Sequence, residues 1–335
     1  MCARKPGGKT VAIVSAVVIL LDVATASAQT ILLKPKYTPG RTTYVEERTN
    51  MAFVVAGGPL GPDGVEMYTG LTLGVLQTVK SASDGGVRLE MTIERVAVKL
   101  QAPMFAPMGW DTDGVDPPHG TPALGKVLST MRGKSYTVRL DAGHQVTTVE
   151  GLEAIRAPLK AAEQSLPAVI PILLMLDEES VRKDWVEAKL VLYPMRRVKV
   201  GDTWTRSIRE DLGEAGELLV TYTCGVAEIK SEHGHRVALI DIAANFRQEG
   251  ERAPATGPMG MSLRFKNGAL SGEAKFDALR GYYLHNQSTA DLTLVATISD
   301  GNQKPTDLEA RVRVERESAE KSPGDRNKQK RRRRP

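Results

Sequence analysis

The chain has 335 residues, 41% of them apolar, 25% charged and only 5% aromatic, with a formal charge of +5. The charge sits at the ends. Residues 317–335 hold eight Lys or Arg against three Asp or Glu, and the first 28 hold three against one, so the body between carries about −2. A body of that charge lacks the basic footprint of a nucleic-acid binder, and two cysteines rule out a disulfide framework.

Arg4, Lys5 and Lys9 precede the apolar run Val11 to Leu21, in which Ser15 is the one polar residue, and Asp22 leads to Ala26-Ser27-Ala28. A basic head, a short apolar core and a small-x-small site describe a bacterial secretory signal, cleaved after Ala28. As a helix the run rises roughly 17 Å against about 30 Å of hydrocarbon, too short for a stable span. The expected destination is the periplasm or the exterior. Cys2 lies ahead of the run and none follows it directly, so no lipid-bearing cysteine is expected.

The body reads as three segments: a β-rich half over 29–151, a helical segment over 152–192 and a second β-rich half over 193–316. In the first half, Val87, Leu89, Met91 and Ile93 alternate with Arg88, Glu90, Thr92 and Glu94, the period of a half-buried strand. After Arg95 the apolar phase slips to Val96, Val98 and Leu100, which predicts a bulge. A short helix is expected over 123–131. Leu152, Ile155, Leu159 and Ala162 recur at helical spacing up to Pro167. Asp177 is placed to cap a helix running through Val181 and Trp185 toward Leu190. Near the C-terminus Leu308, Ala310, Val312 and Val314 alternate with charged residues as a last strand, and 317–335 read as a disordered basic tail.

The two flanks repeat signals in the same order. Gly40-Arg-Thr42-Thr-Tyr44 and Gly201-Asp-Thr203-Trp204 each precede a long strand, at 71–79 and 218–229. A polar turn follows each, at Ser81–Gly86 and Ser231–His235, and a returning strand starts at Val87 or Val237. Tyr136–Leu140 then turns at Asp141-Ala-Gly143, as Ala274–Phe276 turns near Asp277–Gly281. This order predicts an internal duplication.

Catalytic signatures are missing: there is no Gly-x-Ser-x-Gly, His-Glu-x-x-His, Cys-x-x-Cys or phosphate-cradling glycine loop. No cofactor, metal or catalytic residue is assigned. His233 and His235 flank Gly234 in an expected turn. Asp111-Thr-Asp113-Gly114-Val-Asp116 has the carboxylates of a calcium loop without its terminal Glu, and aspartate with glycine also makes ordinary turns. Cys224 shares one side of a strand with Val220, Tyr222 and Val226, which marks a buried thiol. The scarcity of rings weighs against a carbohydrate site.

The candidate ligand-binding residues are apolar. Met104, Phe105, Met108 and Trp110 lie in a Gly/Pro-containing stretch of the first half, and Met259 and Met261 in a similar stretch of the second. Ile170, Leu173 and Leu174 belong to the nearly all-apolar run 168–176. Flexible thioethers suit adaptable binding surfaces; the competing reading is ordinary core.

The run Tyr193-Pro194-Met-Arg-Arg-Val198-Lys-Val200-Gly201-Asp202-Thr203-Trp204 resembles a motif of a family of exported bacterial proteins, frequent in planctomycetes, that carry a domain of unknown function. Tyr37-Thr-Pro39-Gly40, Trp110-Asp111-Thr112 and Gly133-Lys-Ser-Tyr136 are similar to further features of that family. The resemblance implies export and a β-rich fold and brings no activity or catalytic residue. Many relatives are lipoproteins, and this chain departs from them in lacking the lipid-bearing cysteine.

Together these features predict an α+β, β-rich fold: a long curved antiparallel sheet, curled toward an incomplete barrel of two similar halves, with a few helices on its concave side. Periplasmic carriers of lipids and lipoproteins share that layout, an analogy of fold alone. The expected role is a non-enzymatic exported protein that binds an apolar small molecule or lipid. Alternatives are an envelope interaction module, using sheet edges and the basic tail to contact anionic envelope components, and an unrecognised hydrolase. Nucleic acid is not expected as a partner.

Overall fold

The computed structural model describes residues 30–103, 105–114, 122–185, 189–211, 216–249, 260–299 and 306–322. In chain order the elements are β1 (Ile31–Leu32), β2 (Thr42–Ala56), β3 (Val65–Ser83), β4 (Gly86–Ala102), β5 (Phe105–Asp111), α1 (Pro122–Ser129), β6 (Ser135–Leu140) and β7 (Val146–Glu150). The helical segment follows as α2 (Leu152–Ala162), α3 (Ile170–Met175) and α4 (Glu178–Trp185). The rest is β8 (Arg197–Val198), β9 (Thr203–Asp211), β10 (Glu217–Glu232), β11 (His235–Glu249), β12 (Gly260–Asp277), β13 (Tyr282–Ser299) and β14 (Thr306–Lys321).

Strands β1 and β8 make a small two-stranded sheet. The others form one twelve-stranded antiparallel sheet in the order β7-β6-β4-β3-β2-β14-β13-β12-β11-β10-β9, with β5 beside the far end of β4. Each half is therefore a run of neighbouring strands, and β14 returns to pair with β2 and join them. The fold is α+β and β-rich, as the alternation predicts.

The two halves open alike. The Gly40 N–H donates to the Val79 carbonyl at 2.8 Å, and the Val79 N–H donates to the Arg41 carbonyl at 2.9 Å. The Gly201 N–H donates to the Val226 carbonyl, and the Val226 N–H to the Asp202 carbonyl, both at 2.9 Å. Gly40 and Gly201 take φ of 81° and 84°, a left-handed conformation that glycine adopts without steric cost. A bulge follows directly in each half, between Val79 and Ser81 and between Val226 and Glu228.

One face of the sheet is dry where helices cover it. Leu71, Leu73 and Val75 of β3, Leu89, Met91, Ile93, Val96 and Val98 of β4, and Val138 of β6 pack against Leu124, Leu128, Ile155, Leu159, Ile172 and Leu173. The phase slip in β4 is a bulge. Val75 opposes Ile93 and Gly74 opposes Arg95, so Glu94 is the extra residue and both apolar series stay on the same face. The second half buries Val226, Ile240, Ala274 and Phe276 under Ile31, Leu33, Leu192 and Tyr193.

The position of α4 shows that the sheet curls. Arg182 donates to the Val146 carbonyl at 2.6 Å and the Thr147 carbonyl at 2.8 Å on β7. Lys183 lies 3.6 Å from Glu210 on β9, and Asp184 lies 4.0 Å from Arg316 on the central strand β14. A helix that meets both edge strands and the middle one lies inside the curve. The helices are on the concave side.

One boundary differs from the sequence reading. β14 continues through Lys321, so 317–321 are strand and not the start of a disordered tail; Glu317 is held in register by Arg48 on one side and Gln287 on the other. Residues from 323 onward lie outside the described residues. Helix α4 is described as far as Trp185; residues 186–188 lie outside the described residues, and beyond them Lys189 and Leu190 are helical, with Leu190 buried.

On the face away from the helices, the bulge turns Arg95 into a buried ion cluster. Arg95 Nη2 lies 2.6 Å from Asp111 Oδ2, Nε donates to Asp111 Oδ1 at 3.1 Å, and Nη1 lies 3.1 Å from Glu46 Oε2. All three side chains are almost fully buried. The cluster ties β2, β4 and β5 together across β3. There Gly74 leaves room for Tyr44: a Cβ on it would sit 2.1 Å from the Tyr44 hydroxyl oxygen. Removing one partner of such a cluster strands a charge, which costs about 3–5 kcal/mol. Asp111→Ala is therefore expected to lower the urea-unfolding free energy at pH 7 by about that amount. Burial alone would push the Glu46 carboxyl up, but Arg95 and Arg48 outweigh it and hold it below the ordinary range. Its contribution is present above the ordinary carboxylate pKa and is lost as pH falls through the lowered value. Glu46→Gln should consequently cost stability at pH 7 and little at pH 3.

Candidate functional site

Register identifies which side chains share the concave face. Val45 opposes Val75, so Met51 and Phe53 of β2 point the same way as the helix-covered residues. Across the joint, Val314 opposes Met51 and Val312 opposes Phe53; next, Ala290 opposes Val314 and Leu292 opposes Val312. The row continues through Leu270 opposite Ala290 and Ala244 opposite Leu270.

In this part of the sheet the apolar cluster is built of strand residues alone. Leu218, Val220, Ala244 and Phe265 are its buried members, with Tyr222, Phe246, Leu270, Leu292 and Leu294 half-buried against them. Among the described residues no helix lies in that cluster. At the rim Met67, opposite Phe53, is 36% exposed, and Ile298 is 38% exposed. The concave face thus ends in an open apolar trough beyond the helices.

Between trough and helices the same face turns polar. Thr49, Arg316 and Ser288 stand opposite one another across β2, β14 and β13, and Glu47, Ser318 and Asn286 form the next row. Asn286 Oδ1 is buried with no hydrogen-bond partner.

At the closed end is a small cavity lined by Tyr37, Arg41, Gln77, Lys189, Tyr193 and Glu320. Burial pushes the Glu320 carboxyl up; Lys189 and Arg41 offset part of this, while Glu47 adds to it. The opposite face carries a shallow polar depression of about 540 Å³, with Arg48, Asp241, Glu273, Gln287 and Glu315 among its walls.

Of the residues singled out from the sequence, those whose side chains are described fall in separate places. Met108 and Trp110 line a depression of about 280 Å³ beside Tyr68 and Lys99. Leu173 is buried in the first-half core. Ile170 and Leu174 point outward, 38% and 65% exposed, because one side of α3 faces solvent; they line no pocket with the others. Phe105 and Met261 are in β5 and β12, and Met104 and Met259 lie outside the described residues.

Asp111 of the calcium-like loop is taken by Arg95, and Asp116 lies outside the described residues. Among those residues no group of three or more His, Cys, Asp or Glu gathers as a metal site. His235 instead bonds Asp277 at 2.7 Å. Cys224 is buried, and desolvation pushes its thiol up to about 12. Missed by the sequence reading were Glu47, Arg316, Ser318 and Glu320. Carrying the alternation of the last strand past Glu315 would have placed the last three on the concave face.

A family model for a family of unknown function (DUF6263) matches residues 84–282, more than half of the chain. The chain belongs to this family. The DUF6263 match begins in the first hairpin, at Asp84, and ends at Tyr282, so it spans the helical connector and much of the second half. No curated protein matches the chain. Among solved structures it is similar to lipovitellin, described for its lipid–protein interactions, at 11% identity and TM-score 0.36 over 83% of this chain. The match spans a quarter (25%) of the lipovitellin chain. It is also similar to the β domain of the Bordetella autotransporter BrkA, at 9% identity and TM-score 0.21 over 84% of this chain and 100% of that one. The outer membrane protein OprG from Pseudomonas aeruginosa matches at 7% identity and TM-score 0.22, over 85% and 97%. Likenesses at this level carry no information on ligand or role.

The Glu320 cavity yields a test of its own in this DUF6263 protein. A carboxyl whose folded pKa is raised favours folding below its ordinary pKa, and that contribution is lost as pH rises through the raised value. Glu320→Gln should therefore raise the melting temperature at pH 7.5 and leave it unchanged near pH 4, as read by differential scanning calorimetry.

Proposed function

We propose that this is an exported, non-enzymatic protein that binds an apolar or amphipathic small molecule in the open trough. The observation that carries the reading is the row of Met51, Phe53, Leu270, Leu292, Val312 and Val314, which register places on one face; the apolar cluster that holds Leu270 and Leu292 contains no helix among the described residues. Soluble chains seldom leave a contiguous apolar surface of this kind without a use for it. The N-terminal pattern supports export, and a hydrophobic ligand outside the cytoplasm needs a protein surface to shield it from water. Under the helices, by contrast, Leu89, Ile93, Leu128, Ile155, Leu159 and Ile172 are buried core.

A methylene transferred from water to a fully apolar site contributes about 0.8 kcal/mol. A chain lying against an open wall buries about half its surface, so affinity should rise about twofold per added methylene. Titration of the processed protein with eight-, ten- and twelve-carbon alkyl probes, read by displacement of a fluorescent apolar dye, checks this. Leu292→Asp with Val312→Asp should weaken the twelve-carbon probe by tenfold or more while far-ultraviolet circular dichroism stays that of a β-rich protein. An affinity independent of chain length would sink the reading.

A further inference from the structure

We infer that the trough accepts a single-chain amphiphile whose polar end is a positively charged hydrogen-bond donor, a primary ammonium; this rests on the trough being the binding site. The two polar rows lie where the end of a chain stretched along the apolar wall would arrive. Glu47, Ser318 and Asn286 stand side by side there, directly opposed in register. The Asn286 Oδ1 acceptor is buried and unmet, and a buried acceptor without a donor is costly. An occupant that brings N–H groups answers it; a carboxylate brings none.

Charge points the same way. Glu47 and, on α4, Asp184 both act electrostatically on the buried Tyr136 hydroxyl, so the two carboxylates face one region. Arg316, 4.0 Å from Asp184, is the cation of the polar rows. The bases on neighbouring elements are engaged elsewhere. Arg182 binds the β7 carbonyls and Glu178, and Lys183 binds Glu179 and Glu210. Arg206 donates to the Tyr193 carbonyl, while Lys189 and Arg41 act on Glu320 at the closed end. Arg316 is thus matched by Asp184, while Glu47 carries no ion pair among the described residues. An anionic end would meet repulsion there, and an ammonium attraction strengthened by the reduced polarity of a half-buried site.

The test compares three twelve-carbon probes below their aggregation limits at pH 7: dodecylamine, dodecanol and dodecanoate, titrated calorimetrically into the processed protein. The expected order is amine, alcohol, carboxylate, with the amine at least tenfold tighter than the carboxylate. Glu47→Gln should bring the amine to the affinity of the alcohol and leave the alcohol unchanged. Asp184→Asn, at an exposed position on α4, should act in the same direction and guards against a folding defect in the first variant. Dodecanoate binding as tightly as the amine, or an amine advantage that survives both substitutions, overturns the inference while leaving the trough intact. Should none of the three probes bind, the trough itself is not a binding site and the inference falls with it.

Discussion

Alternation of side chains along a strand obliges a wide sheet to cover one of its faces, and the rest of this structure follows from how that is done. A flat twelve-stranded sheet would need a second layer of equal width. Among the described residues the cover is α1 and the short helical connector between the halves, and the sheet curves around them. Helix α4 makes the curvature visible, since Arg182 reaches one edge strand and Lys183 the other. Exposed sheet edges are a liability because unpaired backbone groups invite further strands. At β7, two of the carbonyls facing the helix are already occupied by Arg182.

Curvature has its own requirements on the outer face. At Gly74 the hydroxyl of Tyr44 occupies the space a side chain would need. On the neighbouring strand the Glu94 bulge bends β4 and turns Arg95 to this face, where Asp111 of β5 and Glu46 of β2 hold it. The bulge and the ion cluster are one device. The extra residue re-aims a cation, and the cation in turn fastens the strand that the bend would otherwise leave loosely paired.

Much of the fold was legible because it depends on period and punctuation. The slip after Arg95, the helix from Leu152 to Ala162 and the glycine openings at 40 and 201 all come from local rules, and local rules are written in neighbouring residues. The trough was not legible. Its wall joins β2, β3, β10, β11, β12, β13 and β14, far apart in sequence, and what makes it a trough is that the connector stops short of it. The apolar residues that stood out instead, Ile170 and Leu174, did so by clustering in sequence. Clustering in sequence on a short helix puts some of them outward. Met108 and Trp110 stood out for the same reason, and they do line a depression, though one separate from the wall.

The division of the concave face into a filled end and an open end also bears on why the chain has so few rings. A fully closed interior can be filled with any aliphatic side chains that pack, and the helix-covered end uses Leu, Ile and Val almost throughout. The open wall must stay dry without a covering layer, and flat rings and long aliphatics shield the most area per residue. Two of the five phenylalanines, Phe246 and Phe265, sit together there with ring centroids 6.1 Å apart, and Phe53 extends the same wall. Rings also fill the covered core of the second half, where Tyr193, Phe276 and Tyr283 pack together. On the wall, Phe246 and Phe265 shield strands that no helix covers among the described residues.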